Sequence, residues 1–327
     1  MKNLLCNAIL LFGLSSNFMV QAESNPFFGK YKTPFETPPF DKIKTEHYEP
    51  AFKRGIAELK EEVDKIANNA EPATFENTIV ALERSGELLS RVSGAFFNVL
   101  SANANDEMME ISQRISPDLT ESSNNIYLNE KLFARVKAVY DQRQSLNLSI
   151  EDARLLDETY RAFQESGATL SAEDKEKYRA LSTELSLLSL QFDQNALKDQ
   201  NRFEMLLTDE KDIAGLPESI REAAAHLAKE KGKEGWLFTL DAPSYVPFMR
   251  YSALRGLREK MYREYMSIGN KGDEYDNKEI IREIVNIRLE IARLMGYTNY
   301  ADYKLKHTMA KTPARVYKLL NELLDAY

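Results

Sequence analysis

The histidines limit what chemistry this chain can perform. His47, His226 and His307 are far apart in the sequence, and the motif H-E-x-x-H is absent from the 327 residues. A zinc site needs several ligands within bonding distance of one ion, and a histidine-activated nucleophile needs a base within hydrogen-bond reach. The sequence therefore predicts neither kind of site, and it assigns no catalytic residue, no metal ligand and no defined substrate-binding residue.

One local pattern has the residue types of a metal site. Glu222, His226 and Glu230 are spaced four residues apart, so on a helix they share one face. They are either three metal ligands or part of a solvated helix face. The neighbouring Arg221 and Lys229 favour the solvated face, and the three acidic and imidazole groups are spread over two turns without convergent partners.

Two other histidines and a tyrosine series remain. His47 is typical of a capping or packing residue, whereas His307 could face a groove. Tyr297, Tyr300 and Tyr303 recur at three-residue spacing, which predicts three phenol groups along one helix edge. Such an edge either lines a peptide-binding channel or packs in a core between helices, because tyrosine combines apolar area with a hydrogen-bonding tip.

Composition predicts a mostly helical protein that is large enough for two packed units. Glycine (13) and proline (11) are sparse, while charged residues make up 29% of the chain. The formal charge of −8 would repel a phosphate backbone, and no basic stripe with interleaved aromatic residues offsets it. Nucleic acid is therefore excluded as a predicted partner.

Residues 1–22 have the pattern of a signal peptide. Lys2 supplies the positive start, Leu4 to Leu14 a short apolar stretch, and Val20-Gln21-Ala22 a small-residue cleavage site. The alternative is a buried N-terminal helix. The apolar stretch is too short to span a bilayer, so we expect export, to the periplasm, and no membrane association after the leader is removed. Cleavage would also remove Cys6, the only thiol.

Apolar periodicity predicts helices over most of the chain, interrupted by a small β element near residues 203–240. The predicted strands are Phe203 to Leu207 and Trp236 to Leu240. Thr74 is the predicted N-cap of one long helix that continues to Val99, with Gly86 and Gly94 marking close approach of a neighbouring helix. The other predicted helices cover residues 45–66, 106–124, 130–144, 150–166, 171–199, 217–231, 254–268, 277–295, 299–309 and 312–327.

Both ends of the predicted helical body carry apolar residues that need a partner surface. The arm from Pro26 to Pro39 is rich in phenylalanine and proline, and we expect its phenylalanines to pin it onto the helices. In the last helix the apolar face continues to the end of the sequence at Tyr327, and no residue that typically ends a helix precedes it. The pattern predicts that the chain ends inside a helix whose apolar face needs another surface. That face consists of Val316, Leu319, Leu320, Leu323 and Leu324.

Several short stretches, in order along the chain, together carry a resemblance to a known family. They include Asn25-Pro26-Phe27, Phe40-Asp41, His47-Tyr48, Pro50-Ala51-Phe52, Asn77-Thr78-Ile79, Ser85-Gly86-Glu87-Leu88-Leu89, Ile126-Tyr127-Leu128-Asn129 and Met309-Ala310-Lys311-Thr312-Pro313. These stretches resemble the N-terminal half of the thimet oligopeptidase and peptidyl-dipeptidase family of zinc metallopeptidases, most closely its bacterial dipeptidyl carboxypeptidase branch. A second cluster, Leu240-Asp241 with Pro243-Ser244-Tyr245 and Leu257-Arg258-Glu259, is more similar to the oligopeptidase A branch.

This resemblance implies a helical bundle that forms half of a clam-like peptidase, with a channel for short oligopeptide substrates. It implies an N-terminal helical domain at 23–243 and the start of the catalytic domain at 244–327, truncated before the zinc motif. In the family, zinc is held by the histidines of H-E-x-x-H and a later glutamate, and C-terminal dipeptides are released. Those positions have no counterpart here, so we expect a chain that lacks the C-terminal catalytic half and is inactive alone. The alternative is a non-catalytic helical protein that binds peptides or has a structural role in the envelope.

Overall fold

A computed structural model describes residues 25–327, and the predicted signal peptide at 1–22 lies outside them. The described chain is mostly α-helical with one two-stranded sheet, which confirms the predicted fold class. The helices are α1 Tyr48–Ala67, α2 Ala81–Glu83, α3 Glu87–Asn103, α4 Asp106–Tyr127, α5 Glu130–Asp141, α6 Ile150–Glu165, α7 Ala172–Asn201, α8 Glu218–Glu230, α9 Ala242–Tyr251, α10 Arg255–Met266, α11 Lys278–Leu294, α12 Tyr300–Leu305 and α13 Pro313–Ala326.

The chain divides into two compact units. The first unit contains the described residues up to Ser186 together with Glu290–Tyr327, and the second unit is Leu187–Leu289. The divisions fall within α7 and α11. The predicted boundary after residue 243 does not coincide with them and stays a prediction.

Aromatic side chains build the core of the first unit between α1, α3 and the N-terminal arm. Phe27, Phe52 and Phe96 are fully buried. The rings of Phe52 and Phe96 meet edge to face with centroids 5.3 Å apart, an arrangement that aromatic quadrupoles favour. Phe27 therefore pins the arm as predicted, but Phe35 is 98% exposed and does not.

The prediction of one continuous helix from Thr74 to Val99 is wrong, because the chain is not continuously α-helical in the middle of that range. Thr74 caps as predicted, since its hydroxyl accepts a hydrogen bond from the Asn77 N–H, but a π-helical turn Phe75–Val80 and the short α2 follow. Gly86 then adopts φ +75° and starts α3. This left-handed conformation favours glycine and interrupts the helix, although the apolar periodicity continues across the break.

The tightest approach of α1 to α3 lies at a glycine that the periodicity did not single out. A Cβ atom on Gly55 would lie 2.9 Å from both Cα and N of Leu89. Gly86 also lies close to α1, where a Cβ would be 3.2 Å from a Leu59 methyl group. At Gly94 a Cβ would meet nothing within 4 Å, so the prediction of a close approach there is wrong.

In the second unit, β1 Met205–Leu207 and β2 Trp236–Phe238 pair antiparallel, with Met205 opposite Phe238. This confirms the β element predicted from the two aromatic runs. The two-stranded sheet contributes buried side chains to a core with α9, where the Phe238 and Phe248 rings lie 4.7 Å apart.

A loop between α10 and α11 is fixed by buried polar groups of the second unit. The Asp199 carboxylate has no solvent exposure, and it accepts hydrogen bonds from the Gly269 N–H at 2.8 Å and the Lys271 ammonium at 3.0 Å. The buried Asn277 amide donates to the Phe192 carbonyl at 3.0 Å and accepts from Asn195 at 3.0 Å. Buried polar groups in folded proteins are almost always hydrogen-bonded in this way, because an unpaired buried group destabilises the fold.

The last helix, α13, has the exposed apolar face that its sequence predicts. Leu319, Leu320, Leu323 and Leu324 are 57%, 52%, 49% and 72% exposed. The Thr312 side chain caps the helix by accepting a hydrogen bond from the Arg315 N–H. No helix within residues 25–327 is both long and apolar enough to cross a bilayer.

Candidate functional site

Glu222, His226 and Glu230 form a solvated face of α8. The His226 Nδ1 atom lies 3.6 Å from a Glu230 carboxylate oxygen, and the two side chains are 73% and 62% exposed. Glu222 is exposed on the same helix. An exposed pair of this kind is screened by water and contributes little free energy. Of the two sequence interpretations, the structure shows the solvated face.

His47 is a local capping residue, as its sequence position predicts. Its Nδ1 atom accepts a hydrogen bond from the Lys44 N–H at 3.0 Å. The Asn25 amide donates to the His47 carbonyl at 2.8 Å. Both interactions fix the turn that leads into α1, and neither presents the imidazole to a cleft.

Of the tyrosine series only Tyr303 packs as core, and the three residues do not form a single helix edge. Only Tyr300 and Tyr303 belong to α12, because Tyr297 precedes the helix. Tyr303 is 4% exposed, and its ring lies 5.4 Å from that of Tyr297 and 5.9 Å from that of Tyr300. Its hydroxyl donates to the Glu165 carbonyl at the end of α6. Burial raises the pKa of Tyr303 well above its usual range.

His307 joins the same end of α6. Its Nε2 atom lies 3.1 Å from a Glu165 carboxylate oxygen, with both side chains about one third exposed. The buried Tyr303 and this contact therefore tie α12 and the segment after it to α6 within the first unit. The sequence allows His307 to face a groove, and the structure places it beside Glu165.

A groove between α1 and α4 in the first unit has a size and lining that suit a ligand. Its volume is about 440 Å³, within the range of about 300–1,000 Å³ typical of ligand sites. The floor is apolar, with Ile56, Leu59 and Val63 from α1 and Ile126 from α4. Ser122, Asn125 and Asn129 add polar groups at the α4 side.

Charged side chains line both rims of the groove. On the α1 rim Lys53 is bonded to Glu49 at 2.8 Å and Lys60 lies 3.4 Å from Asp64. On the α4 rim Asp118 and Glu121 are exposed. An apolar floor between charged rims suits a peptide, whose backbone is polar and whose side chains alternate in direction.

The described residues do not provide a zinc site. Within residues 25–327 no group of three His, Cys, Asp or Glu side chains lies close enough to hold a metal ion. The three histidines are engaged separately, with Lys44, Glu230 and Glu165.

Comparison with known proteins identifies the family. Residues 248–327 match the sequence profile of Peptidase family M3. The chain is 38% identical to the dipeptidyl carboxypeptidase of Escherichia coli (strain K12) over 303 residues, which are 92% of this chain and 44% of that protein. The chain is a relative of the family M3 peptidases. This confirms the relationship predicted from the sequence stretches.

Two other M3 relatives show the breadth of the similarity. The oligopeptidase A of Escherichia coli (strain K12) is 34% identical over 89% of this chain and 43% of its own length. A thimet-like oligopeptidase of Dictyostelium discoideum is 24% identical over 80% of this chain and 39% of its own length. The chain thus spans less than half the length of the curated M3 relatives it matches.

Sequence reasoning missed the groove as a site. The apolar residues of α1 were recognised only as one stripe of an amphipathic helix, and nothing in that stripe shows which part stays uncovered. The partner helix α4 follows in sequence only after α2 and α3. The signal was the surplus of apolar residues on α1, whose stripe is wide enough to serve both a core and a cleft.

Proposed function

We propose that this chain forms part of a zinc-dependent peptidase that releases dipeptides from the C-terminus of short oligopeptides. The observation that carries the proposal is the 38% identity to a dipeptidyl carboxypeptidase over 92% of the chain. The zinc ion would be held by residues outside the printed sequence, because the described histidines are dispersed and H-E-x-x-H is absent. By itself the 327-residue chain is then expected to hydrolyse nothing.

The groove between α1 and α4 is the proposed contribution of these residues to peptide binding. Its apolar floor can accept one side chain of an extended peptide, while Ser122 and Asn129 at its edge can bond the peptide backbone. The exposed Asp118 and Lys60 on opposite rims would orient the charged ends of a short peptide. We also propose that the protein is exported, on the basis of residues 1–22.

Dipeptide release tests the enzymatic proposal. The protein that contains this sequence is isolated from its own cells with an antibody raised against residues 25–327, and its zinc content is measured by mass spectrometry. It is then incubated with a pentapeptide that has either a free or an amidated C-terminus. We expect one zinc per molecule and dipeptide release from the free form. Intact pentapeptide in both reactions, with no zinc bound, would refute the peptidase function.

The same assay on the 327-residue chain separates the catalytic proposal from the alternative of a non-catalytic peptide-binding protein. We expect binding without cleavage from this chain, and cleavage from the protein isolated from cells. Binding without cleavage from both preparations would favour the non-catalytic alternative. Robust turnover by the 327-residue chain would contradict the proposed location of the zinc ligands.

A groove variant tests the peptide-binding role directly. Ile56→Lys places a charge on the apolar floor, and Ala57→Lys adds the same charge at the next, exposed position of α1. We expect Ile56→Lys to weaken binding of an apolar pentapeptide about tenfold in calorimetry, since a lost side-chain contact costs about 1–2 kcal/mol. Ala57→Lys should leave the affinity unchanged. Equal affinities for both variants would remove the groove from the proposal.

A further inference from the structure

An exposed cluster of aromatic and sulfur-containing side chains covers one side of α9 and α10 in the second unit. The rings of Tyr245 and Tyr265 stack with centroids 4.2 Å apart and planes 15° apart. Tyr262, Tyr265 and Met266 are 50%, 41% and 60% exposed. Tyr262 precedes Tyr265 by three residues on α10, so the two side chains lie next to each other on one side of the helix.

Contiguous apolar surface of this composition is typical of binding sites. Tyrosine and methionine are enriched at interfaces, because both bury large areas and methionine adapts its shape to the partner. Scattered exposed apolar residues need no explanation, but Tyr262, Tyr265 and Met266 share one side of α10, and Tyr265 stacks on Tyr245. The α9–α10 aromatic face therefore has the properties of a docking surface.

A free cation lies on the same stripe of α10. Arg255 precedes Tyr262 by seven residues, which returns to the same side of a helix after about two turns. Arg255 is exposed and has no ion pair or hydrogen bond within the described part of the chain. Its neighbours on the helix are engaged: Arg258 donates to the Ser252 carbonyl, and Arg263 pairs with Glu259 at 2.8 Å.

The local charge indicates the sign of the partner. Helix α10 carries Arg255, Arg258, Lys260 and Arg263 against Glu259 and Glu264, in a protein whose formal charge is −8. A cationic patch attracts acidic ligands, whereas the remaining surface of an acidic protein repels them. The planar guanidinium of an arginine also suits bidentate binding of a carboxylate.

We propose that the Arg255–Tyr262 side of α10, together with Tyr245, Tyr265 and Met266, binds an extended peptide segment that carries a carboxylate about three residues away from an aromatic side chain. The spacing follows from geometry. Seven helical residues rise about 10 Å at 1.5 Å per residue, and an extended peptide covers that distance in about three residues at 3.3 Å each. The inference goes beyond the proposed peptidase function and does not depend on it.

Fluorescence anisotropy with a defined probe tests this site on the 327-residue chain. The probe is fluorescein-Gly-Asp-Ser-Gly-Phe-Gly-amide, and two control probes replace its Asp by Asn or its Phe by Ser. We expect each control probe to bind about tenfold more weakly, the loss typical of one interface anchor. Equal binding of the three probes would overturn the proposal.

Matched variants assign the two contacts separately. Tyr262→Ala should weaken the parent probe about tenfold and abolish its advantage over the Ser probe, while Arg255→Gln should abolish its advantage over the Asn probe. Tyr317→Ala, at a 65% exposed tyrosine of α13, and Lys260→Gln, on another side of α10, are the controls and should stay within about twofold. Circular dichroism verifies that each variant folds. Equal effects of controls and test variants would disprove the assignment.

Two competing occupants give distinct outcomes. If a second copy of this chain covers the face, sedimentation will show a dimer that Tyr262→Ala dissociates, and the peptide proposal fails. If the face binds nucleic acid, a labelled single-stranded oligonucleotide will displace the peptide probe and lose affinity with Tyr262→Ala, and the proposal fails as well. We expect probe binding with which the oligonucleotide does not compete, and no association between chains that Tyr262→Ala abolishes.

Discussion

At the scale of single residues, the second unit depends on a carboxylate that is fully removed from water. Asp199 pairs with Arg202 at 2.7 Å and Lys271 at 3.0 Å and also accepts from the Gly269 N–H. Burial lowers the pKa of Lys271, but its hydrogen bonds to Glu264 and Asp199 outweigh that effect and raise it. The Asp199 carboxylate thus fixes the loop between α10 and α11 through an ion pair with Lys271 and a hydrogen bond from the Gly269 N–H.

We predict that Asp199→Ala destabilises the protein by about 3 kcal/mol, because it removes one partner of a buried ion pair and leaves a loop N–H unpaired. Urea unfolding followed by circular dichroism measures the change. Glu274→Ala is the control in the same loop, since Glu274 is exposed and has no ion pair in the described residues. A loss below about 1 kcal/mol for Asp199→Ala would mean that the loop is held by other contacts.

A second carboxylate in that loop predicts a pH dependence. Hydrogen bonds from the Lys278 ammonium and from the Lys278 and Gly272 N–H groups lower the pKa of Asp276 from 3.8 to about 2. The folded state therefore holds the proton less tightly than the unfolded state. The stability that Asp276 contributes is full above its unfolded pKa and is lost as the pH falls through about 2.

We expect the urea midpoint of Asp276→Ala to lie below that of the original chain by a constant amount from pH 7 to pH 5, and by less at pH 3. The gap narrows because the unfolded carboxyl takes up its proton below its usual pKa of 3.8 while the folded one stays charged. A gap that does not change between pH 7 and pH 3 would show that Asp276 acts by packing and not by charge.

At the scale of elements, periodicity predicted most helices to within a few residues but not how closely they pack. The stripe spacing fixes which face of a helix is apolar, so the bounds of α4, α6 and α8 could be read from the sequence. The break at Gly86 could not be predicted in this way. The apolar pattern continues through it, and only the backbone shows the break, because Gly86 adopts a left-handed conformation. The α1–α3 contact at Gly55 depends on two helices at once, and no single-helix pattern shows it.

The candidate surfaces were predictable only in part for the same reason. The sequence gives the amphipathic stripes of α1 and α10, but whether a residue of a stripe ends in a core or at a surface depends on the neighbouring elements. Tyr303 and Tyr262 illustrate this, since both are tyrosines on helices and are 4% and 50% exposed. The ion pair of His307 with Glu165 joins residues far apart in sequence and had no local signal.

Gly55 and Gly94 form a matched pair for an experiment on helix packing. We predict that Gly55→Ala destabilises the protein by about 2 kcal/mol, because the added methyl group would meet the Leu89 backbone at 2.9 Å and force α1 and α3 apart. Gly94→Ala, inside α3 and with open space around it, should stabilise by up to about 1 kcal/mol through helix propensity. Thermal and urea unfolding measure both.

Opposite changes in stability for Gly55→Ala and Gly94→Ala would support the close packing of α1 against α3 at Gly55. If both substitutions stabilise, α1 and α3 separate at no cost, and the close approach at Gly55 is not needed for the fold. If both destabilise equally, helix propensity does not dominate at Gly94 and the local packing there is tighter than the structure shows.

At the scale of the whole molecule, the described chain presents apolar surface that a globular protein normally covers. The face of α13 has no buried residue, and the M3 relatives are more than twice as long as this chain. Exposed apolar faces of this kind mark interfaces or lead to association. Under the proposed function, further residues of the peptidase would cover this helix.

We predict that the 327-residue chain binds the dye ANS and self-associates with increasing concentration, and that Leu320→Glu with Leu324→Glu suppresses both. These leucines lie one turn apart on α13 and are 52% and 72% exposed, so the charges enter the centre of the apolar face with little loss of packing. Met309→Glu is the control, because Met309 is 98% exposed but lies outside that face. Light scattering and ANS fluorescence give the readouts. Equal suppression by the control, or no association in the original chain, would show that the α13 face does not drive contacts between molecules.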